Sequence, residues 1–472
     1  MEEVRDRDQN TQVEGIESGL EADKSQNSIK RTGNLWTASA HIITAVLGSG
    51  VLSLAWGMAQ LGWIAGATTL VVFSAVTLYT SNLLADCYRT PTGAPCHTYT
   101  QVIKNNFGEA MYGMCATVQY AILGGLLVGY TITTSLSIVA IEKSECFRIK
   151  GHEAVCRASH IEYMIGMGIV EVLLSQIPNF DKLSFLSLFA AVMSLAYSSI
   201  GAGLAFAKFV SGKGGGTSLG GIEIGIGLSP SQKMWRVFRA FGNIAFAYSY
   251  SIILIEIQDT LKATPPENVV MKRANAVAVA TTTAFYMMCG CFGYAALGNH
   301  APGNMLTGFY EPFWLVNVAN ACVVAHLVGA YQVCAQPIFK AVEQRSRRRF
   351  PKSKFINAEY SIGIGKHKLT INLFRLIWRT MFVALATLVS MIIPFFNDIL
   401  ALLGAVGYWP LTVFFPIELY ITTNKIPWHT WRWLGLQTIN VTCLLVALAA
   451  GCGAVEGLSR GLKGYTPFKF VE

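Results

Sequence analysis

The residues best placed to do chemistry form two short runs, each in the middle of an apolar stretch. Gly48-Ser49-Gly50 interrupts the run that begins at Leu35, and Phe246-Ala247-Tyr248-Ser249-Tyr250-Ser251 interrupts another far downstream. Glycine weakens a helix by up to about 1 kcal/mol relative to alanine. At mid-membrane, non-helical backbone is tolerated only where it lines a cavity or is buried in protein. A break in the first run leaves the amides of Gly48, Ser49 and Gly50 without helical partners, at the partly positive start of a second half-helix. That end suits a carboxylate. Carbonyls freed near Thr44, Ala45, Phe246 and Ala247 suit an ammonium, with Tyr248 and the Ser249 hydroxyl beside them. The competing reading of such small residues is close helix packing; the matching second run favours paired breaks.

Ionisable groups inside apolar stretches are costly and functional by default. His41, Glu171, Glu256, Asp259, His326 and Glu418 qualify. Histidine titrates near ~6.5 when unperturbed, so His41 and His326 are candidates for moving a proton, against neutral hydrogen-bonded helix contacts. Glu256 and Asp259 lie one turn apart near a helix end. They are either further proton-coupling candidates or partners of Lys262, Lys272 or Arg273. Glu171 and Glu418 read equally as inter-helix hydrogen-bond partners. The run Gly212-Lys213-Gly214-Gly215-Gly216-Thr217 lacks the order of a phosphate loop and reads as a flexible linker. No metal-ligand spacing and no nucleophile-elbow motif occurs, so the reading is no enzyme, no metal and no cofactor beyond a coupling proton.

These residues need a bilayer to position them. Of 472 residues, 53% are hydrophobic and 13% charged, against about 25% charged in soluble domains; the mean hydropathy is +0.44. The pattern predicts an all-α integral membrane protein with about eleven spans, each needing roughly 20 apolar residues. They fall near 35–61, 63–86, 109–141, 161–178, 183–210, 234–262, 270–297, 311–341, 371–393, 396–421 and 430–453. Spans one and six, which carry the two runs, then open two five-span halves of an inverted repeat, and span eleven is an addition.

Residues 1–33 are polar and acid-rich and read as a disordered cytoplasmic tail, 34–453 as the membrane domain and 454–472 as an external C-terminal tail. The basic loop 342–370 is expected to be cytoplasmic, which puts the N-terminus inside and the loop 142–160 outside. The net charge of +9 sits in loops between apolar runs, so it marks lipid contact and topology and no nucleic acid. Cys146 and Cys156 share the external loop, where a bridge or two free thiols are both open readings.

Several motifs then resemble one family. Gly48-Ser49-Gly50-Val51-Leu52-Ser53-Leu54-Ala55-Trp56, followed by Ala59-Gln60-Leu61-Gly62-Trp63, is similar to the first-span signature of plant amino acid permeases, within the amino acid/auxin permease superfamily. Leu174-Ser175-Gln176-Ile177-Pro178, Ile255-Glu256-Ile257-Gln258-Asp259-Thr260 and His326-Leu327-Val328-Gly329-Ala330-Tyr331-Gln332-Val333 match further on, and the likeness covers roughly residues 30–470. The resemblance implies a LeuT-type fold, a plant plasma membrane, and proton-coupled symport of free amino acids into the cell. It also implies a Cys146–Cys156 bridge and histidines at 41 and 326. The chain departs from the family at Asn243 and Asn317, where aspartates are usual, and at Ile122, where asparagine is usual. Transport of another small carboxylate such as auxin, or amino acid sensing without transport, are the alternatives. No signal for an oligomeric state is present.

Overall fold

The computed structural model describes residues 31–90, 92–151, 153–177, 184–225, 228–364 and 367–465. Residues 1–30 of the acid-rich tail, Pro178 of the fourth span and the last seven residues lie outside them. By length and apolar composition, nine helical stretches among the described residues can cross a membrane. One of them, Ser49–Asp86, is two spans joined at Gly62, whose φ of 80° and ψ of 179° break the helix. Its first part continues the half-helix Leu35–Val46, and the shorter helix His160–Ser175 completes eleven spans.

The sequence explains the ends. Asn34 Oδ1 accepts from the Thr37 amide while Thr37 Oγ1 accepts from the Asn34 amide, a reciprocal cap that starts span one. Pro230 opens span six behind a matching Ser229–Gln232 cap. Gly108 (φ 79°) breaks Tyr99–Lys150 where span three was expected to begin. Spans nine and ten, Leu373–Ile392 and Phe396–Thr423, part at Ile393-Pro394-Phe395.

Three helices outrun their apolar cores. Span three continues to Lys150, span eight (Phe313–Arg349) to Arg349 and span eleven (Trp431–Gly464) to Gly464. The loops placed at 142–160 and 342–370 and the tail placed at 454–472 therefore begin as helix. Backbone hydrogen bonds continue past the hydrocarbon, and basic last turns (Arg148 and Lys150; Arg347, Arg348 and Arg349; Lys463) complement the helix dipole. The basic loop also carries a hairpin, β1 (Tyr360–Ile364) with β2 (His367–Ile371).

Two further expectations need correction. Residues 31–33 are docked rather than part of a free arm. The Gly33 amide donates to Thr260 O at 2.9 Å and the Lys262 amide to Gly33 O at 3.1 Å. The glycine-rich segment after span five is packed, not a loose linker. The Gly215 amide donates to Ala295 O at 3.2 Å, Asn299 to Gly216 O at 2.9 Å and Ile222 to Ala59 O at 2.8 Å. Its carbonyls at Ser218 and Leu219 face the Trp63 and Ile64 amides, which the break at Gly62 leaves without helical partners.

Which span touches which follows an internal symmetry. Span one packs on span seven (Glu267–His300) as span six packs on span two; span three packs on ten as eight packs on five; span four packs on eight as nine packs on three. Each pair becomes the other when a span is replaced by the one five places on. Two five-span halves of opposite orientation produce that pattern, and span eleven adds to it against spans six and ten.

Candidate functional site

The first break runs from Leu47 to Ser53. After Val46 the chain turns through Leu47 and Gly48 into a 3₁₀ segment, Ser49–Ser53, and helix resumes at Leu54. The Gly48 amide folds back on Val46 O at 2.8 Å, so it is not among the free donors expected of it. The Ser49 and Gly50 amides precede the first 3₁₀ bond, Val51 N to Gly48 O, and find no acceptor among the described residues. On the other side of the break the Leu47 amide returns to Ile43 O, which leaves the Thr44 and Ala45 carbonyls without a donor among the described residues. Two donors and two acceptors thus face the same interruption, the complement of a carboxylate and an ammonium.

The second break faces it. Span six is helical over Pro230–Ala247, turns at Tyr248 to Tyr250, and resumes through Ser251–Ile253 into Leu254–Asp259. A Cβ on Gly50 would lie 3.1 Å from Ala247 Cα and 3.3 Å from the Phe246 ring, so the two interruptions touch. Gly48 by contrast looks onto open space. The Phe246 carbonyl takes the Ser249 amide at 3.1 Å and the Ser249 hydroxyl turns back to Ala245 O at 2.8 Å. These groups are therefore already engaged, unlike those of Thr44 and Ala45.

Residues outside both motifs hold the breaks together. The Tyr286 hydroxyl on span seven shares its proton between Val46 O at 2.6 Å and Ala247 O at 2.8 Å, one from each break. Its ring meets Tyr248 edge-on with centroids 5.1 Å apart, and Tyr248 donates to Thr283 Oγ1 at 3.2 Å. On span five, the Tyr197 hydroxyl donates to Leu47 O at 3.3 Å. Asn243 is fully buried one turn before the second break, on the helical face of Phe246 and Ala247, and both its amide atoms lack a partner among the described residues. In sequence, Tyr286 and Tyr197 look like any tyrosine in a span. Only the break carbonyls explain them.

The two histidines occupy different settings. His326 is buried and its Nδ1 donates to Ala190 O at 2.8 Å, which fixes the proton on that nitrogen and leaves Nε2 as an acceptor. Its ring packs on Tyr197, whose hydroxyl reaches the first break, with centroids 5.8 Å apart. His41 is exposed. It shares a helix face with Ala45 at i+4, about 6 Å along the axis, one residue before the helix ends at Val46. The structure does not bring the two histidines together.

Glu256 and Asp259 belong to the end of the bundle that carries the basic loop. Glu256 Oε1 caps span three by accepting from the Tyr99 amide at 3.1 Å. Asp259 is held by Arg31 at 2.8 Å, the Tyr88 hydroxyl at 2.6 Å and His97 Nδ1 at 2.8 Å, not by Lys262, Lys272 or Arg273. Lys272 pairs with Asp86 instead, at 2.7 Å. Arg31 and Arg89 also reach Glu267. Burial, and then the bond to Asp259, pushes the Tyr88 phenol well above its usual range.

At the opposite end, Arg239 on span six pairs with Asp398 on span ten at 2.6 Å and lies over the Trp56 ring. Gly457 of span eleven leaves the room this pair fills. The breaks thus lie between two ion-paired layers. Beyond them, Cys146 and Cys156 are joined, with Cα atoms 6.0 Å apart. Glu145 beside the bridge accepts from Asn317 Nδ2. Ile122 packs on Gly407.

Two five-span halves, each opening with a broken helix, facing each other under one shared hydroxyl, define a membrane carrier of the LeuT type. Residues 31–459 match the family described as transmembrane amino acid transporter protein, and the chain belongs to that family. It is 54% identical to amino acid permease 8 of Arabidopsis thaliana, over 97% of this chain and 98% of that one. It is 55% identical to amino acid permease 1 of the same plant, over 93% and 92%. Its fold is similar to that of MhsT, solved in complex with L-phenylalanine, with a TM-score of 0.54 at 11% identity, covering 88% of this chain and 98% of that one.

Proposed function

We propose that this chain carries free amino acids into the cell across the plasma membrane by symport with protons, with its N-terminus in the cytoplasm. The observation that carries the reading is the pair of unpartnered amides, Ser49 and Gly50, opposite the unpartnered carbonyls of Thr44 and Ala45. A substrate carboxylate takes the amides at the start of the half-helix, and its ammonium takes the carbonyls. Phe246 and Tyr248 pack over the bound backbone, and the open space before Gly48 admits the side chain. Relatives named amino acid permeases at more than half identity support this substrate class over other small carboxylates.

His326 accepts the coupling proton at Nε2, and the charge is felt at the first break through Tyr197. His41 lies on the face leading from the cytoplasmic end to the site. Opening alternates between the Arg239–Asp398 layer on the outside and the Arg31–Asp259 layer on the inside. Currents recorded from oocytes expressing the chain test the whole reading. A panel of amino acids should evoke saturable inward currents, larger at about pH 5 than at about pH 7.5 because the inward proton gradient is steeper at the lower external pH. Uptake of labelled amino acid with no current at either pH would overturn proton coupling; no uptake at all would overturn the carrier.

A further inference from the structure

Among the described residues Glu171 is a fully buried carboxyl group without an ion pair, away from both breaks and both ion-paired layers. It lies on span four and is 0% exposed. Gln332 of span eight donates to its Oε2 at 2.7 Å and to Ser175 Oγ at 2.9 Å. Its Oε1 is buried with no partner, and among the described residues no cation stands within salt-bridge distance. Of the other titratable groups, Tyr331 of span eight interacts with it directly; Tyr130 of span three and Cys334 of span eight pack in the cluster that holds the adjacent Val172; and Glu343 of span eight with Arg375 and Arg379 of span nine lie one turn on, where Arg379 reaches Ser175. The Tyr331 hydroxyl is buried and unpartnered as well. An ionised carboxylate with one amide donor and no counter-ion is costly in such a setting.

One turn nearer the basic-loop end, the surroundings reverse. Arg379 donates to Ser175 O at 2.6 Å and pairs with Glu343 at 2.8 Å, and Arg375 lies 3.5 Å from the same carboxylate. Two arginines share one carboxylate there, leaving a surplus positive charge on buried or half-buried groups. That charge lies one helical turn from Glu171, joined to its helix through the Ser175 carbonyl. Helix geometry puts Gln332 about 9 Å along span eight from His326, so one rigid helix touches both.

We propose that Glu171 is a second proton-binding site of the carrier, protonated in the state described and releasing its proton toward the cytoplasm during each cycle. The proposal rests on proton coupling as read above. On release the carboxyl O–H bond breaks, the electron pair stays on Glu171, and the proton passes to water at the basic-loop end. The Arg375–Glu343–Arg379 group then supplies the missing counter-charge.

Glu171→Gln keeps the size and the hydrogen bond to Gln332 but cannot titrate. Normalised to surface-labelled protein, it is expected to cut pH-driven accumulation about tenfold or more, to flatten the pH profile, and to reduce amino acid exchange much less. Glu171→Asp should keep a pH response with a shifted midpoint. Infrared difference spectra of purified wild type between about pH 5 and about pH 8 should contain the band of a buried carboxylic acid that Glu171→Asp shifts; this holds even if Glu171→Gln fails to reach the surface. A Glu171→Gln carrier with a wild-type pH profile, or a carboxylic acid band untouched by Glu171→Asp, would overturn the assignment. A wild type without proton-driven uptake would overturn the coupling itself.

Discussion

Gly48 and Gly50 are two residues apart and answer to different constraints. A side chain at Gly50 would run into Ala247 Cα at 3.1 Å, so it must push the two breaks apart. A side chain at Gly48 meets only open space, with Ala45 O the nearest atom at 4.0 Å. Gly50→Val is therefore expected to abolish uptake by separating the amides of span one from span six, a displacement of the kind that costs about a hundredfold. Gly48→Ala should fold normally and raise the KM several-fold, because its methyl enters the space the substrate needs. Initial rates against substrate concentration, normalised to surface protein, separate the two; equal effects would mean that Gly48 faces packing and not a site. Asn243 belongs at this scale too. A buried amide with neither atom bonded is costly, and its place one turn before the break makes a bound substrate or water its natural partner.

Among the connecting elements, the turn at Gly62 does the most positioning. Its φ of 80° with ψ of 179° is a conformation that only glycine adopts readily. A Cβ there would also run into the Gly221 amide nitrogen. Gly62→Ala should destabilise the carrier by at least about 2 kcal/mol, read as a fall in the melting temperature of the purified protein. An unchanged melting temperature would show that the segment around Gly221 is loosely held. The same turn shows what the sequence made legible. The expected cuts at Gly62, Gly108 and Pro394 fall where the helices break, because glycine and proline act on their own backbone. The Gly-Ser-Gly and Tyr-Ser-Tyr-Ser runs announced the paired breaks for the same reason. The glycine-rich segment 212–217 was misread because its bonds go to Ala295 and Asn299, contacts that no local pattern encodes. Tyr286 and Arg239 were invisible likewise: their partners lie on other spans, and an isolated tyrosine or arginine in a sequence does not say which carbonyl or carboxylate it will meet.

For the molecule as a whole, alternating access requires that the ion-paired layers at the two ends come apart in turn. The inner layer gathers the start of span one, the ends of spans two and six, and the entries to spans three and seven around Asp259 and Glu267. Arg31 joins Asp259 to Glu267, and among the described residues its strap is held by two backbone bonds at Gly33. Removing one partner of a half-buried ionic cluster leaves the others uncompensated, so Arg31→Ala should favour the inward-open state. Cys87 reports on that opening. Its thiol is buried beneath the cluster and donates to Leu83 O at 3.3 Å. Burial pushes it up to about 12 from an ordinary value of 9.0. The sign follows from the acid form: a raised thiol value means less thiolate at neutral pH, hence slow alkylation in the closed protein. A thiol returned to its ordinary value would hold up to about a thousandfold more thiolate at pH 7. Mass spectrometry of maleimide-treated membranes should therefore find Cys87 labelled at least tenfold faster in Arg31→Ala than in wild type, with added substrate changing the rate in both. Cys87 labelling is normalised to the amount of carrier in each sample. Equal Cys87 rates would mean that Arg31 is a surface ion pair without hold on the inner layer, and that the strap at Gly33 keeps this end shut by itself.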